Sequence, residues 1–117
     1  MKKVKNYING SSVSNSNKFL NISDPSTGEI SGEVVLSDIK DFNAAIDSSN
    51  HSFQEWSNTT PLKRSRVLSK YKDLIEKNIE SLAKLVSSEH GKTLEDAKGS
   101  VIRGLEVVEF ACGIPHL

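Results

Sequence analysis

The stretch SEHGKTLEDAKGSVIRGLEVVEFACGIPHL, residues 88–117, decides how the chain is read. Gly91 stops one helix, because a glycine just past a helix end takes the left-handed conformation without steric cost. Thr93 opens the next, with Asp96 three residues on giving a box-like start. Leu94, Ala97, Val101, Leu105, Val108 and Cys112 fall on one stripe of that helix, while Ile102, Val107, Phe110 and Ala111 fall outside it. A helix that is apolar on more than one side needs cover on more than one side. Preceding helices supply some of that cover, and a sheet beneath supplies the rest more naturally.

Working backward, residues 37–90 carry helical periodicity. Ser37 is a plausible N-cap, with Asp38 and Asp41 complementing the positive helix start. Ile39, Phe42, Ile46, Phe53 and Trp56 share a face. Thr60 followed by Pro61 reads as a cap and a first-turn proline. Val67, Leu68, Tyr71, Leu74, Ile75, Ile79, Leu82, Leu85 and Val86 continue one stripe, with a break expected near Asn78. Residues 1–36 read as extended. Asn9–Gly10 is a two-residue hairpin signal, and Asp24–Pro25–Ser26–Thr27–Gly28 is a turn between further short strands. The expected organisation is a hairpin and short edge strands over 1–36, then three to four helices over 37–117.

The totals narrow the function classes. Lysine plus arginine equals aspartate plus glutamate at 15 each, and no basic stripe stands out, which argues against a nucleic-acid partner. No run is long enough to span a bilayer, and Lys2, Lys3 and Lys5 precede no signal-peptide core. The chain reads as cytoplasmic, with no membrane partner. One cysteine, Cys112, excludes an internal disulfide framework. On an apolar stripe it reads as a small hydrophobe and not as a nucleophile.

Few motifs carry chemistry. Gly91–Lys92–Thr93 mimics the end of a phosphate-binding loop, but the glycine required five residues earlier is Val86 and a helix precedes it. A helix–turn–helix junction is the better reading. His51, His90 and His116 lack metal-ligand spacing, so no metal site is expected. Arg103 is different. It stands in the most apolar helix, between Ile102 and Gly104 and four residues after Gly99. Interior glycines cost a helix about 1 kcal/mol each, which points to something approaching its backbone. A guanidinium there either clamps a carboxylate or pairs with Glu106 or Glu109. The pattern alone favours the pair.

Lys5–Asn6–Tyr7–Ile8–Asn9–Gly10, Asp24–Pro25–Ser26–Thr27–Gly28–Glu29, Leu62–Lys63–Arg64–Ser65–Arg66–Val67–Leu68 and Glu89–His90–Gly91–Lys92–Thr93 resemble segments of aldehyde dehydrogenases. Gly99 to Pro115 resembles, more specifically, the CoA-acylating methylmalonate-semialdehyde dehydrogenase branch. The resemblance implies an α/β protein with the aldehyde dehydrogenase fold, of which this chain is an incomplete N-terminal part. It implies that residues 37–117 belong to the cofactor-binding domain. It further implies NAD and coenzyme A as cofactors of an intact enzyme that is a homo-tetramer. That enzyme turns methylmalonate or malonate semialdehyde into propionyl-CoA or acetyl-CoA through a cysteine nucleophile. That cysteine and the NAD-binding residues are expected beyond Leu117, so the chain alone is expected to hold no catalytic or cofactor-binding residue and to be inactive. The resemblance makes Arg103 a substrate-binding residue that holds the semialdehyde's carboxylate. The competing reading is a short non-catalytic module that docks on a full-length aldehyde dehydrogenase.

Overall fold

The computed structural model describes residues 2–117, and the chain forms two compact units, 1–58 and 59–117. The division follows contacts and not secondary structure. The first helix therefore goes with the strands, whereas a boundary at residue 36 follows the change from strand to helix.

The first unit contains β1 (Lys2–Val4), β2 (Asn6–Ile8), β3 (Ser11–Val13), β4 (Phe19–Ser23), β5 (Ile30–Val35) and α1 (Ile39–Asn58). Asn9 and Gly10 take positive φ, 50° and 74°, as a primed two-residue turn demands. They fold β3 back antiparallel on β2, with Ile8 opposite Ser11. A second sheet has the order β1-β5-β4. There β5 pairs in parallel with β1 and antiparallel with β4. The β4–β5 turn is organised by Asp24, whose carboxylate accepts from Ser26 N–H at 2.7 Å while its carbonyl accepts from Gly28 N–H at 2.8 Å. Gly32, in central β5, lies so near β1 that a Cβ there would sit 2.9 Å from the Lys2 carbonyl oxygen.

Asp41 ties α1 to the strand region. It is 2% exposed, and its carboxylate accepts from Asn15 N–H at 2.6 Å, Ser16 N–H at 3.3 Å and Asp38 N–H at 3.2 Å. Asp38 in turn accepts from Asp41 N–H at 3.1 Å and Lys40 N–H at 2.8 Å. This is a reciprocal capping box, so the cap is Asp38, one residue after the expected Ser37. The Ser37 hydroxyl donates instead to Asn6 Oδ1 at 3.0 Å. Bonds from backbone N–H groups, that of Asn15 foremost, hold the Asp41 carboxyl below its ordinary pKa. The apolar face of α1 (Ile39, Phe42, Ile46, Phe53, Trp56) is exposed.

The second unit contains α2 (Pro61–Lys77), α3 (Ile79–His90), α4 (Leu94–Cys112) and a 3₁₀ turn, Ile114–His116. Thr60 caps α2 by accepting from Lys63 N–H at 3.4 Å, with Pro61 in the first turn. The break at Asn78 separates α2 from α3. Helix α4 packs against both α2 and α3. Ala83 on α3 and Ala97 on α4 are fully buried, which fits a close approach of the two helices, since interaxial distance follows side-chain size at the contact. Ion pairs bridge the helices at the surface: Lys72 of α2 meets Glu109 of α4 at 3.4 Å, and Glu80 of α3 meets Lys98 of α4. The Ser65 hydroxyl donates to the Cys112 carbonyl at 2.6 Å and fastens α2 to the end of α4.

On α4 the stripe Ala97, Val101, Leu105, Val108, Cys112 is the inward one, buried or half-buried, whereas Leu94, expected on the same stripe, is exposed in the first turn. Val107 and Phe110, off that stripe, are 68% and 67% exposed. Among the described residues, no helix is long and apolar enough to cross a membrane.

Candidate functional site

Arg103 lies mid-way along α4, exposed, and its guanidinium turns back along the helix. Side chains on a helix lean toward its N-terminus, so Arg103 covers the preceding turn and not the following one. Its Nη2 donates to Ser100 Oγ at 3.1 Å, and its Nη1 lies 3.7 Å from where a Cβ on Gly99 would stand. That direction takes the guanidinium away from Glu106 and Glu109. Arg103 pairs with neither Glu106 nor Glu109; Glu109 is engaged by Lys72. A methyl group added at Gly104 would meet nothing within 4 Å.

A second cation reaches the same hydroxyl. Lys92 Nζ donates to Ser100 Oγ at 2.9 Å, and Ser100 Oγ donates to the Asp96 carbonyl at 3.1 Å. A hydroxyl has one proton to give and two lone pairs, so all its capacity is used. Lys92 is held there from both sides. Gly91, at φ 77°, ends α3 in the left-handed region and donates its N–H to the Ser87 carbonyl at 2.9 Å. The Ser87 hydroxyl donates to the Lys92 carbonyl at 2.8 Å. Thr93 then caps α4, accepting from Asp96 N–H at 3.2 Å. The ion pairs Lys3–Glu33, Lys72–Glu76, Lys72–Glu109 and Lys98–Glu80 involve neither Lys92 nor Arg103. A guanidinium can give a carboxylate two parallel bonds, and an ammonium can give it one charge-assisted bond.

The turn differs from a phosphate-binding loop. A phosphate cradle needs free backbone N–H groups, and that of Gly91 is already bonded to Ser87. Cys112 is half-buried at the end of α4, where its carbonyl serves the Ser65 bond. His51, His90 and His116 are far apart in sequence, and His51 and His90 are exposed. Among the described residues, no group of three or more His, Cys, Asp or Glu side chains is arranged to hold a metal ion. An open concavity in the first unit, between Asn6–Ile8 and the start of α1, is lined by Ser37, Asp38, Asp41 and Phe42. Its two carboxylates are occupied by the capping bonds. Sequence reasoning misses Lys92 and Ser100, because it weighs Gly91–Lys92–Thr93 only as a phosphate loop. The spacing of Ser100 three residues before Arg103 is the signal that could have found the hydroxyl.

Known proteins resemble the chain along nearly its whole length. The model of the aldehyde dehydrogenase family matches residues 12–116. A malonate-semialdehyde dehydrogenase of Pseudomonas aeruginosa is 46% identical over 110 residues, covering 94% of this chain and 22% of that protein. The mouse mitochondrial acylating methylmalonate-semialdehyde/malonate-semialdehyde dehydrogenase is 43% identical over 115 residues, covering 97% of this chain and 22% of its own length. A methylmalonate-semialdehyde dehydrogenase structure from Oceanimonas doudoroffii superimposes with a TM-score of 0.96 at 40% identity, over 99% of this chain and 24% of that one. A Sinorhizobium meliloti structure described as the same kind of enzyme complexed with NAD gives a TM-score of 0.96 at 43% identity, over 99% and 24%. The chain thus spans under a quarter of the length of these relatives. It belongs to the aldehyde dehydrogenase family, in which it corresponds to the N-terminal portion of the methylmalonate- and malonate-semialdehyde dehydrogenases.

Proposed function

We propose that this chain is the N-terminal part of an NAD-dependent, CoA-acylating methylmalonate- or malonate-semialdehyde dehydrogenase, in which Arg103 holds the substrate's carboxylate. The observation that carries the reading is the guanidinium of Arg103, exposed on α4 and turned back to Ser100 Oγ. The names of the relatives supply the substrate class: each semialdehyde they act on carries a carboxylate at the end opposite its aldehyde. Holding that carboxylate fixes one end of a three-carbon chain and so limits where the aldehyde can lie. Orientation of this kind raises the population of reactive geometry.

NAD supplies the hydride acceptor when bound to the intact enzyme, and coenzyme A accepts the acyl group. None of that chemistry is assigned to residues of this chain, and the chain alone is expected to be inactive. Cytoplasmic location and homo-tetrameric assembly of the intact enzyme belong to the same reading.

The test is Arg103→Ala in the intact enzyme that carries this segment, with turnover compared on malonate semialdehyde and on propanal. Loss of a charge-assisted hydrogen bond costs about 1.5–3 kcal/mol, or roughly 10–150-fold in kcat/KM. The loss is expected on the carboxylated substrate. Equal losses on both would sink the assignment.

A further inference from the structure

We propose that Asn9 is a site of spontaneous covalent modification, at which the side-chain amide is lost as ammonia and position 9 becomes isoaspartate or aspartate. The inference is independent of the reading of Arg103. Its only co-reactant is water.

The chemistry is local. The Gly10 backbone nitrogen attacks Asn9 Cγ and closes a cyclic imide, the Cγ–Nδ2 bond breaks, and the Gly10 N–H proton leaves with the ammonia. Water then opens the ring. Opening at the main-chain carbonyl gives isoaspartate, opening at Cγ gives aspartate, and nothing is oxidised or reduced. A following residue that lacks a Cβ crowds the attacking nitrogen least. Among the asparagines of the chain, only Asn9 precedes a glycine. Asn9 and Gly10 are both exposed, and a Cβ built on Gly10 would meet nothing within 4 Å.

The hairpin sets the rate. With φ 50° and 74° at Asn9 and Gly10, the turn is type I′, in which the first central residue has ψ of about +30°. That ψ turns the Gly10 nitrogen to the side of Asn9 opposite its Cβ, so the closed turn does not react and the hairpin must open. Opening is within reach. Strands β2 and β3 form a sheet of their own, β3 is exposed throughout, and a hairpin with no third strand is marginally stable. Both flanks are fastened beside the start of α1: Asn6 Oδ1 accepts from Ser37 Oγ at 3.0 Å, and the Asn15 and Ser16 N–H groups donate to Asp41. The tip therefore opens locally while its flanks stay in place.

The same flank protects a second asparagine. Asn15 precedes another small residue, Ser16, and is also exposed. Its attacking nitrogen would be that of Ser16, which donates to the Asp41 carboxylate at 3.3 Å from a residue only 7% exposed. The structure thus leaves Asn9 reactive and closes Asn15. Isoaspartate at position 9 puts a negative charge at the tip and an extra carbon in the main chain, which a two-residue primed turn does not accommodate. The pairing of Ile8 with Ser11 is then lost.

The test incubates the intact enzyme carrying this segment at mildly alkaline pH, folded and in urea. Isoaspartate and aspartate at positions 9 and 15 are followed by peptide mapping with mass spectrometry. In the folded enzyme Asn9 is expected to convert about tenfold more slowly than in urea, the protection a marginal hairpin gives. Asn15 is expected to convert in urea and to stay intact in the folded enzyme over the same period. Asn9 left intact in the folded enzyme long after the urea sample is fully converted overturns the proposal. So does Asn15 converting as fast as Asn9 in the folded enzyme, since the reaction would then follow general unfolding and not the hairpin.

Discussion

Truncating Leu105 and Val107 to alanine asks whether α4 is anchored by one face. Both lie in the same helix, two residues apart, so they share local propensity and differ mainly in what covers them. Leu105 is 8% exposed and Val107 is 68% exposed. A buried leucine cut to alanine loses its transfer free energy and leaves a partly collapsed cavity, about 2–5 kcal/mol in all. At an exposed valine the change should stay within about 0.5 kcal/mol, because alanine's better helix propensity offsets what little packing Val107 provides. A domain of this size ordinarily holds about 5–15 kcal/mol, so the Leu105 change removes a large share of the total. Urea unfolding of the 117-residue chain, followed by the far-UV helix signal, gives both numbers if the slope is unchanged. A Leu105→Ala cost within about 0.5 kcal/mol of that of Val107→Ala would refute the assignment of the inward stripe. The same pair in the intact enzyme extends the test: if further chain covers the second face, Val107→Ala becomes costly there.

Gly91→Ala is expected to destabilise the 117-residue chain by roughly 1–2 kcal/mol, because φ 77° is a left-handed conformation; an unchanged thermal midpoint would contradict the capping role. Gly104→Ala is expected to stabilise the chain by about 0.5–1 kcal/mol, since an added methyl meets nothing within 4 Å; a loss in the chain by itself would show an internal contact at that face. The Asp41 carboxyl has a folded pKa below its ordinary value, so the stability it contributes is complete above the unfolded-state value. It is lost as pH falls through that value toward the lower folded one, from about pH 5 downward. Acid titration of the melting midpoint should show this slope, and Asp41→Asn should flatten it; the same slope in both proteins would rule Asp41 out as its source.

Much of this fold is legible because its signals are local. Asn9–Gly10 specifies its own turn through backbone sterics, and both residues do take positive φ. Thr60–Pro61, the Asn78 break, Gly91 and Thr93 each satisfy or terminate backbone hydrogen bonds within a few residues. The first helix cap is the exception, since Ser37 and Asp38 are both competent and the sequence pattern points to Ser37, one residue early. The choice is made by Asp41, which answers Asp38 in the capping box and also takes Asn15 and Ser16 from far upstream.

The candidate site divides the same way. Arg103 can be singled out from the sequence because a guanidinium among apolar residues and glycines is conspicuous. Its neighbours cannot. The sequence allows Glu106, Glu109 or a substrate as the partner, and the lean of helical side chains turns the guanidinium back toward Ser100. Lys92 joins it only because the left-handed turn at Gly91 folds α3 against α4 and carries the ammonium across to the same oxygen. Turns and caps are decided within a few residues of chain, so the sequence determines them. Which cation meets which hydroxyl depends on how two helices pack, and only the tertiary structure decides that.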